Sequence, residues 1–413
     1  MKLKSIKKFL FKIIPLVVAI IFAGCTEKTT DSLYSGNPSG PTGATPEIST
    51  VNPPNEALAG VTAITITGKN FLSDTSAVEV YFGSLAGKII SASPTQLTVI
   101  PPNIEGAVNI KISTNVAELF SNIYTYSLAK AVKDFYPDAK DKTNVPASII
   151  VDNAGNIYSS NSSYGLVQIT PDSVSTVYSA KGGETYWTTM RFGPAGVLYA
   201  ARGNQAVFTI PAGGGKNSAW VVLTPSSLKI SQIEFDPMGN LWAAGKNSAI
   251  YRIKPDKSTK SYPFSNFVTA MRIFVSGGTT YLYAAVQQSS NIVIMRMPID
   301  ANGDLGTPEN YFDFTGNYGA NYVVNDITFA ADGEMFLATD LPSPIVYVNP
   351  DKTSGLLYPD LLLKSPALSL AWGTGNILYY VRRQINDATG ALLIPQSIVK
   401  VNVEKPGAPY YGM

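Results

Sequence analysis

Between Pro46 and Leu128 apolar and polar residues alternate in short runs: Val61-Thr-Ala-Ile-Thr-Ile-Thr67, Ala77-Val-Glu-Val-Tyr-Phe82, Gln96-Leu-Thr-Val-Ile100 and Ala107-Val-Asn-Ile-Lys-Ile-Ser113. A period of two sends successive side chains to opposite faces of a strand, and regular spacing between turn residues predicts a β-sandwich of about seven strands. From Ser148 onward the pattern changes to a recurring unit: an apolar strand, a glycine turn, an aromatic-bearing strand, a turn, and another apolar strand. The turn glycines are Gly155, Gly196, Gly239, Gly278, Gly333 and Gly375, spaced 41, 43, 39, 55 and 42 residues apart. A period near forty residues with strand–Gly–strand in each unit predicts the blades of a β-propeller, and six units predict six blades.

Alignment of the first strand of each unit yields columns. Ile149, Met190, Ile233, Met271, Ile327 and Leu370 form one, and Val151, Phe192, Phe235, Ile273, Phe329 and Trp372 form another; both are expected between blades. The column between them reads Ile150, Arg191, Glu234, Arg272, Thr328 and Ala371, so three successive blades bring Arg, Glu and Arg toward the axis. Buried charge is costly unless paired. An inter-blade salt-bridge ladder is the first expectation, and a channel site for an anionic or polyhydroxyl ligand is the second. The aromatics Tyr158, Tyr199, Trp242, Tyr283, Phe336 and Tyr379 recur once per blade and are assigned to packing. The last unit lacks an outer strand, while Ala131–Tyr136 matches that position and precedes the first unit; it is expected to close the ring and remove an exposed edge.

Composition narrows the chemistry. With no His, the chain has no Ser–His–Asp or Cys–His nucleophile system and no imidazole base. A single Cys excludes intramolecular disulfides and cysteine-rich metal centres. The 31 basic and 29 acidic residues give no nucleic-acid signature.

The lone Cys stands at the end of a basic, then apolar, N-terminus: Lys2, Lys4, Lys7, Lys8 and Lys12, then an apolar run closing Phe22-Ala23-Gly24-Cys25. These are the parts of a secretory signal, and the closing residues resemble the lipobox of bacterial lipoproteins. That resemblance implies a signal over residues 1–24, a lipidated Cys25 as membrane anchor and, with Thr26 following, an outer-membrane address. Residues 25–45, rich in Ser, Thr, Gly and Pro, have little to bury and are expected to form a flexible tether. Removal of the signal takes away the five lysines and leaves 26 basic against 29 acidic residues.

The 46–128 segment resembles the IPT/TIG domain, an immunoglobulin-like fold. The resemblance is carried by Asn52-Pro53-Pro54, Gly60, Ile64-Thr-Ile-Thr-Gly-Lys-Asn-Phe71, Val80-Tyr-Phe-Gly83, Ser91-Ala-Ser-Pro-Thr-Gln-Leu97 and Pro101-Pro102. Such domains are usually spacers or interaction modules. In its most specific element Gly68 permits a backbone path that a Cβ would obstruct, and Phe71 drops into the core. Residues 129–413 resemble NHL-type and gluconolactonase-type six-bladed propellers. The fold class is therefore all-β: an immunoglobulin-like sandwich followed by a closed propeller.

Propeller ligands sit at the channel mouth, where the innermost strands start. Tyr186, Trp187, Thr188, Thr189, Gln232, Asn325 and Asp326 are the candidates, with Trp187 offered either to a sugar ring or to the core. Asp300-Ala-Asn-Gly-Asp304 places oxygens at alternate positions as a calcium loop does, but Leu305 and Tyr311 replace its Gly and final Glu, so a turn is expected. The gluconolactonase resemblance implies a metal held by carboxylate and amide oxygens, for which only Glu234, Asn325 and Asp326 qualify. The expectation is a non-catalytic, lipid-anchored envelope protein that needs no cofactor and binds a glycan or protein partner, with no nucleic acid involved. The alternative is a propeller hydrolase, lactonase or esterase, dependent on calcium or another divalent ion.

Overall fold

The computed structural model describes residues 43–137, 145–180 and 186–411. The signal, Cys25 and the tether up to residue 42 lie outside the described residues. The chain divides into two compact units, the second holding Leu128 and all that follows.

The first unit is a sandwich of a four-stranded and a five-stranded antiparallel sheet. The first sheet orders Glu47–Asn52, Ile64–Lys69, Gln96–Ile100 and Lys88–Ser93; the second orders Glu56–Ala59, Tyr124–Lys130, Gly106–Thr114, Val78–Phe82 and Leu85–Ala86. Nine strands stand where about seven were expected, the extra ones including a two-residue edge strand too short to show as periodicity. The inward positions Ile64, Ile66, Val80, Phe82, Leu97, Val99, Ile110 and Ile112 are fully buried. At Gly68 a Cβ would stand 1.9 Å from the Glu47 carbonyl oxygen and 2.5 Å from the Phe71 ring. Close approach of the neighbouring strand therefore demands glycine there, and Phe71 occupies the core.

The second unit consists of six four-stranded antiparallel sheets, with an added two-stranded hairpin. From innermost to outermost strand, blade 1 holds Pro146–Val151, Ile157–Asn161, Gly165–Ile169 and Ser175–Ala180. Blade 2 holds Thr189–Phe192, Leu198–Ala201, Ala206–Ile210 and Ser218–Val222, and blade 3 holds Ile230–Phe235, Leu241–Gly245, Ala249–Ile253 and Thr259–Pro263. Blade 4 is the long one, with Phe267–Ser276, Thr279–Gln288, Asn291–Ile299 and Glu309–Asp313, followed by the short helix Phe314–Tyr318. Its ten-residue strands and this helix account for the 55-residue interval in the repeat. Blade 5 holds Val324–Phe329, Met335–Thr339, Ile345–Val348 and Ser354–Leu356.

Blade 6 is built from both ends of the unit. Ala367–Trp372, Ile377–Arg382 and Ser397–Asn402 are completed by Val132–Tyr136, which pairs antiparallel with the last of them (Val132 opposite Val401, Asp134 opposite Val399). The expected closing strand is therefore present. Hydrophobic cores lie between blades rather than within them, one at each of the six junctions; the junction of blades 6 and 1 joins Tyr136 and Tyr379 to Ile149 and Ile157. Every member of the two aligned apolar columns is buried.

The turn between the first two strands holds a device that recurs. The Asp236 carboxylate, fully buried, accepts hydrogen bonds from the backbone N–H groups of Met238 and Asn240, the Asn240 amide and the Trp242 indole. Asp152 makes the same four bonds in blade 1, with Tyr158 in place of the Trp. Each aromatic is thus fixed to its own turn as well as packed.

Candidate functional site

The axis is filled. Arg191, Glu234 and Arg272 are each more than nine-tenths buried. Glu234 Oε2 lies 2.7 Å from Arg191 Nε and 3.1 Å from Arg272 Nη1, so a single carboxylate oxygen serves guanidiniums from both flanking blades. Glu234 Oε1 accepts from the Phe235 N–H. Burial disfavours the Arg272 cation, but Glu234, Tyr410 and Asp326 outweigh it and hold its pKa above the usual arginine value. Between the ladder and the inner strands of blades 1 and 6 only about 10 Å³ remains, roughly the space of one water. The ladder expectation holds, and the channel-ligand reading gives way to it for want of room.

The C-terminal segment, to which sequence reading assigned no role, closes the axis where the innermost strands end. Pro406 O accepts from Ala331 N, Ala408 N donates to Phe329 O, and Gly407 lies so close to Trp372 that a Cβ would come within 2.2 Å of its ring. Tyr410 reaches the axis: its hydroxyl accepts from Phe329 N at 2.8 Å, and its ring lies 3.9 Å beneath the Arg272 guanidinium. Tyr411 continues to blade 3 and packs on Phe235 at 5.2 Å. This strap joins blades 6, 5, 4 and 3.

At the opposite end, where the innermost strands begin, all six blades line one open cleft of about 430 Å³. Tyr186, Trp187 and Thr188 of the predicted set line it, as do Gln232 and Asn325. Ser231, which the sequence also places at a strand start, lines it too, whereas Ser148, Phe267, Thr269, Leu368 and Arg383 complete most of the lining and were not singled out from sequence. Thr189 and Asp326 do not line it; both are buried. The role offered to Trp187 needs correcting: it is 1% exposed and packs on Phe208 at 5.2 Å, so its faces are unavailable to a sugar. Tyr186, 54% exposed, is the aromatic that the cleft presents.

The polar collar has a structural duty. Ser148 Oγ donates to the Trp187 carbonyl (2.8 Å), Thr188 Oγ1 to that of Ser231 (2.8 Å), Gln232 Nε2 to that of Thr269 (2.9 Å) and Asn325 Nδ2 to that of Ala367 (2.9 Å). Each bond crosses from one blade to the next, so the groups are held in fixed positions around the rim. Both amides keep their carbonyl oxygens for a ligand.

The metal set does not form. Glu234 lies between two guanidiniums, and the Asp326 oxygens accept from Ile327 N, Leu370 N and Ser369 Oγ. Oxygens engaged by cations and N–H donors are poor ligands for a cation, so Glu234 and Asp326 drop out of the set, and the single amide oxygen left on Asn325 does not make a divalent-ion site. Among the described residues no group of three or more candidate metal ligands comes together. The Asp300–Asp304 segment is the expected turn, and Asp304 binds Arg252, Lys260 and Tyr262 of blade 3.

Comparison with known proteins bears on the fold. The IPT/TIG domain family model matches residues 46–128. No curated protein matches the sequence. An auxiliary nutrient binding protein from Bacteroides thetaiotaomicron is similar over 88% of this chain and 98% of its own, with TM-score 0.51 and 14% identity. A luciferin-regenerating enzyme is similar over 68% of this chain and 98% of its own (TM-score 0.54, 14% identity). Regucalcin from Agrobacterium tumefaciens, a calcium-binding protein, is similar over 67% and 97% (TM-score 0.51, 16% identity). At such identities these likenesses establish the fold and leave activity open. The chain carries an IPT/TIG domain over residues 46–128, followed by a six-bladed propeller.

Proposed function

We propose that this protein is a lipid-anchored envelope protein whose propeller binds a ligand, a glycan in our reading, across the six-blade mouth without transforming it. The observation that carries this is the cleft itself. It is open, it presents an exposed Tyr186 within a fixed collar of hydroxyls and amides, and its described lining contains no carboxylate, Cys or Lys to act as acid, base or nucleophile. Aromatic faces with fixed polar groups suit sugar rings, which are apolar on one face and rich in hydroxyls at the edge. The auxiliary nutrient binding protein of similar fold is consistent with a binding role. On this reading the IPT/TIG domain is a spacer.

The test is a binding screen of the protein over a glycan panel, repeated with Tyr186→Ala. Binding that falls about tenfold or more with the variant, with the glycan recovered unaltered, is the expected result; turnover of any panel member, or binding indifferent to Tyr186, refutes the reading. The anchor is tested separately by palmitate labelling, which should be lost in Cys25→Ala.

A further inference from the structure

The mouth has a charge character that the binding reading leaves unused. Its described lining holds one charged side chain, Arg383. Arg191, Arg252, Arg272, Arg296 and Arg382 each pair with a carboxylate. Arg383 is exposed and makes no salt bridge or side-chain hydrogen bond among the described residues, although its backbone is fixed at both ends: its N–H donates to Pro366 O at 2.9 Å, and its carbonyl accepts from Ser365 Oγ at 2.7 Å. The side chain follows directly on the buried Arg382 at the end of a blade 6 strand, so the pleat that turns Arg382 inward releases Arg383 at the rim. A guanidinium on a fixed backbone, in the same cleft as an exposed aromatic and facing no carboxylate among the described lining residues, is an arrangement for an anionic group on a polyhydroxyl body.

We infer that the mouth selects acidic saccharides: the sugar ring stacks on Tyr186, its carboxylate meets the Arg383 guanidinium, and its hydroxyls meet the Thr188, Gln232 and Asn325 collar. This rests on the mouth being the ligand site, as proposed above. The planar fork of arginine matches a carboxylate through two parallel N–H···O bonds, which are stronger than neutral ones. A neutral sugar keeps the ring and hydroxyl contacts but offers the guanidinium nothing more than water does.

The experiment is calorimetric titration of the protein with trigalacturonic acid, a hyaluronan tetrasaccharide and a sulfated chondroitin disaccharide, against maltotriose and cellotriose as neutral probes. At least one acidic probe is expected to bind tenfold or more tightly than the neutral ones, with the advantage shrinking as salt rises. Arg383→Ala should erase that advantage, bringing the acidic probes to the affinity of the neutral ones; Arg383→Lys should keep part of it. Tyr186→Ala should weaken acidic and neutral probes alike. Lys254→Ala, in the turn after the third strand of blade 3, should change nothing and controls for general charge. Equal binding of acidic and neutral probes, or an acidic preference that survives Arg383→Ala, overturns this inference while leaving the mouth as the site. Failure of all three acidic probes overturns it too, as does Arg383-dependent binding of poly-glutamate without any saccharide binding, which would point to an acidic protein. Binding indifferent to both Tyr186→Ala and Arg383→Ala overturns the mouth reading itself.

Discussion

The Arg272 guanidinium sits 3.9 Å over the ring of Tyr410, so a residue three places from the C-terminus covers a charge at the centre of the propeller. Tyr410 also fixes blade 5, accepting from Phe329 N and sharing a hydrogen bond with Thr328 Oγ1 at 3.1 Å. Two variants separate these parts. Tyr410→Phe keeps the ring under Arg272 and leaves Phe329 N unpaired, for an expected loss of about 1 kcal/mol. Tyr410→Ala removes both and opens a cavity beneath a buried cation, for about 3 kcal/mol or more. Denaturant unfolding of the two variants should rank them in that order.

Glu234 holds two guanidiniums on one oxygen, so its removal leaves two buried cations without their shared counter-charge. Breaking a buried ion pair from one side costs about 3–5 kcal/mol, whereas replacing the whole set with apolar residues can be neutral. Glu234→Ala should accordingly lower the unfolding midpoint strongly. The triple variant Arg191→Met, Glu234→Leu, Arg272→Met should recover most of the loss. If the triple variant is no better than the single, the ladder is more than a compensated charge.

The ladder was legible because the repeat aligns Arg191, Glu234 and Arg272 in one column, and a column at the axis has nowhere to go but inward. The closing strand was legible for a similar reason, since one blade lacked an outer strand and Ala131–Tyr136 had no other place. The strap was not. Lys405 to Tyr411 has no periodicity, and its bonds run to Phe329, Ala331, Trp372 and Arg272, which only the closed ring brings together. Trp187 failed as a sugar platform because one residue decides which neighbour faces solvent: Tyr186 precedes the strand and stays outside, and Trp187 turns into the core of blades 1 and 2. Arg383 went unnoticed since it lies after the second strand of its blade, away from the innermost-strand columns that guided the search. The turn aspartates Asp152 and Asp236 did carry a signal, Asp-x-x-Gly-Asn-x-aromatic, hidden beneath the more frequent glycine.

Ring closure has its own ion pair. Arg382, whose side chain is 3% exposed, donates from Nη1 to Asp134 Oδ1 at 2.6 Å and from Nη2 to Ser397 Oγ at 2.7 Å, tying the closing strand to the blade it completes. Asp134→Ala leaves a buried guanidinium with one neutral partner, for an expected cost of about 2 kcal/mol. Deletion of the chain through Tyr136 goes further: it bares the edge of Ser397–Asn402 and should convert a monodisperse propeller into an aggregating one, measurable by light scattering. A chain beginning at Ala129 retains the closing strand and should stay monodisperse.

The strap should answer to acid. Lys405 lies 2.7 Å from Asp332 and 2.8 Å from Glu334. Burial alone would push the Asp332 pKa up, but the Lys405 ammonium and the Glu334 N–H outweigh it and hold the carboxyl below its ordinary value. Burial likewise pulls the Lys405 pKa down, and the two carboxylates more than reverse this. A carboxyl depressed in the folded state contributes stability that is present above its unfolded pKa, about 3.9, and is lost as pH falls through the depressed value. A lysine raised in the folded state contributes stability that is present below about 10.4 and is lost as pH rises through the raised value. The strap is therefore held best between about pH 4 and pH 10 and should loosen first on acidification below that window. Because Gly407 lies against the Trp372 ring, loosening should appear as a change in Trp372 fluorescence, isolated in a variant with the other three Trp replaced by Phe. Lys405→Ala removes the partner of both carboxylates, so its strap should already be loose at neutral pH and show no such step between about pH 4 and pH 2. An acid step of the same size in Lys405→Ala would mean that the ion pairs do not hold the strap.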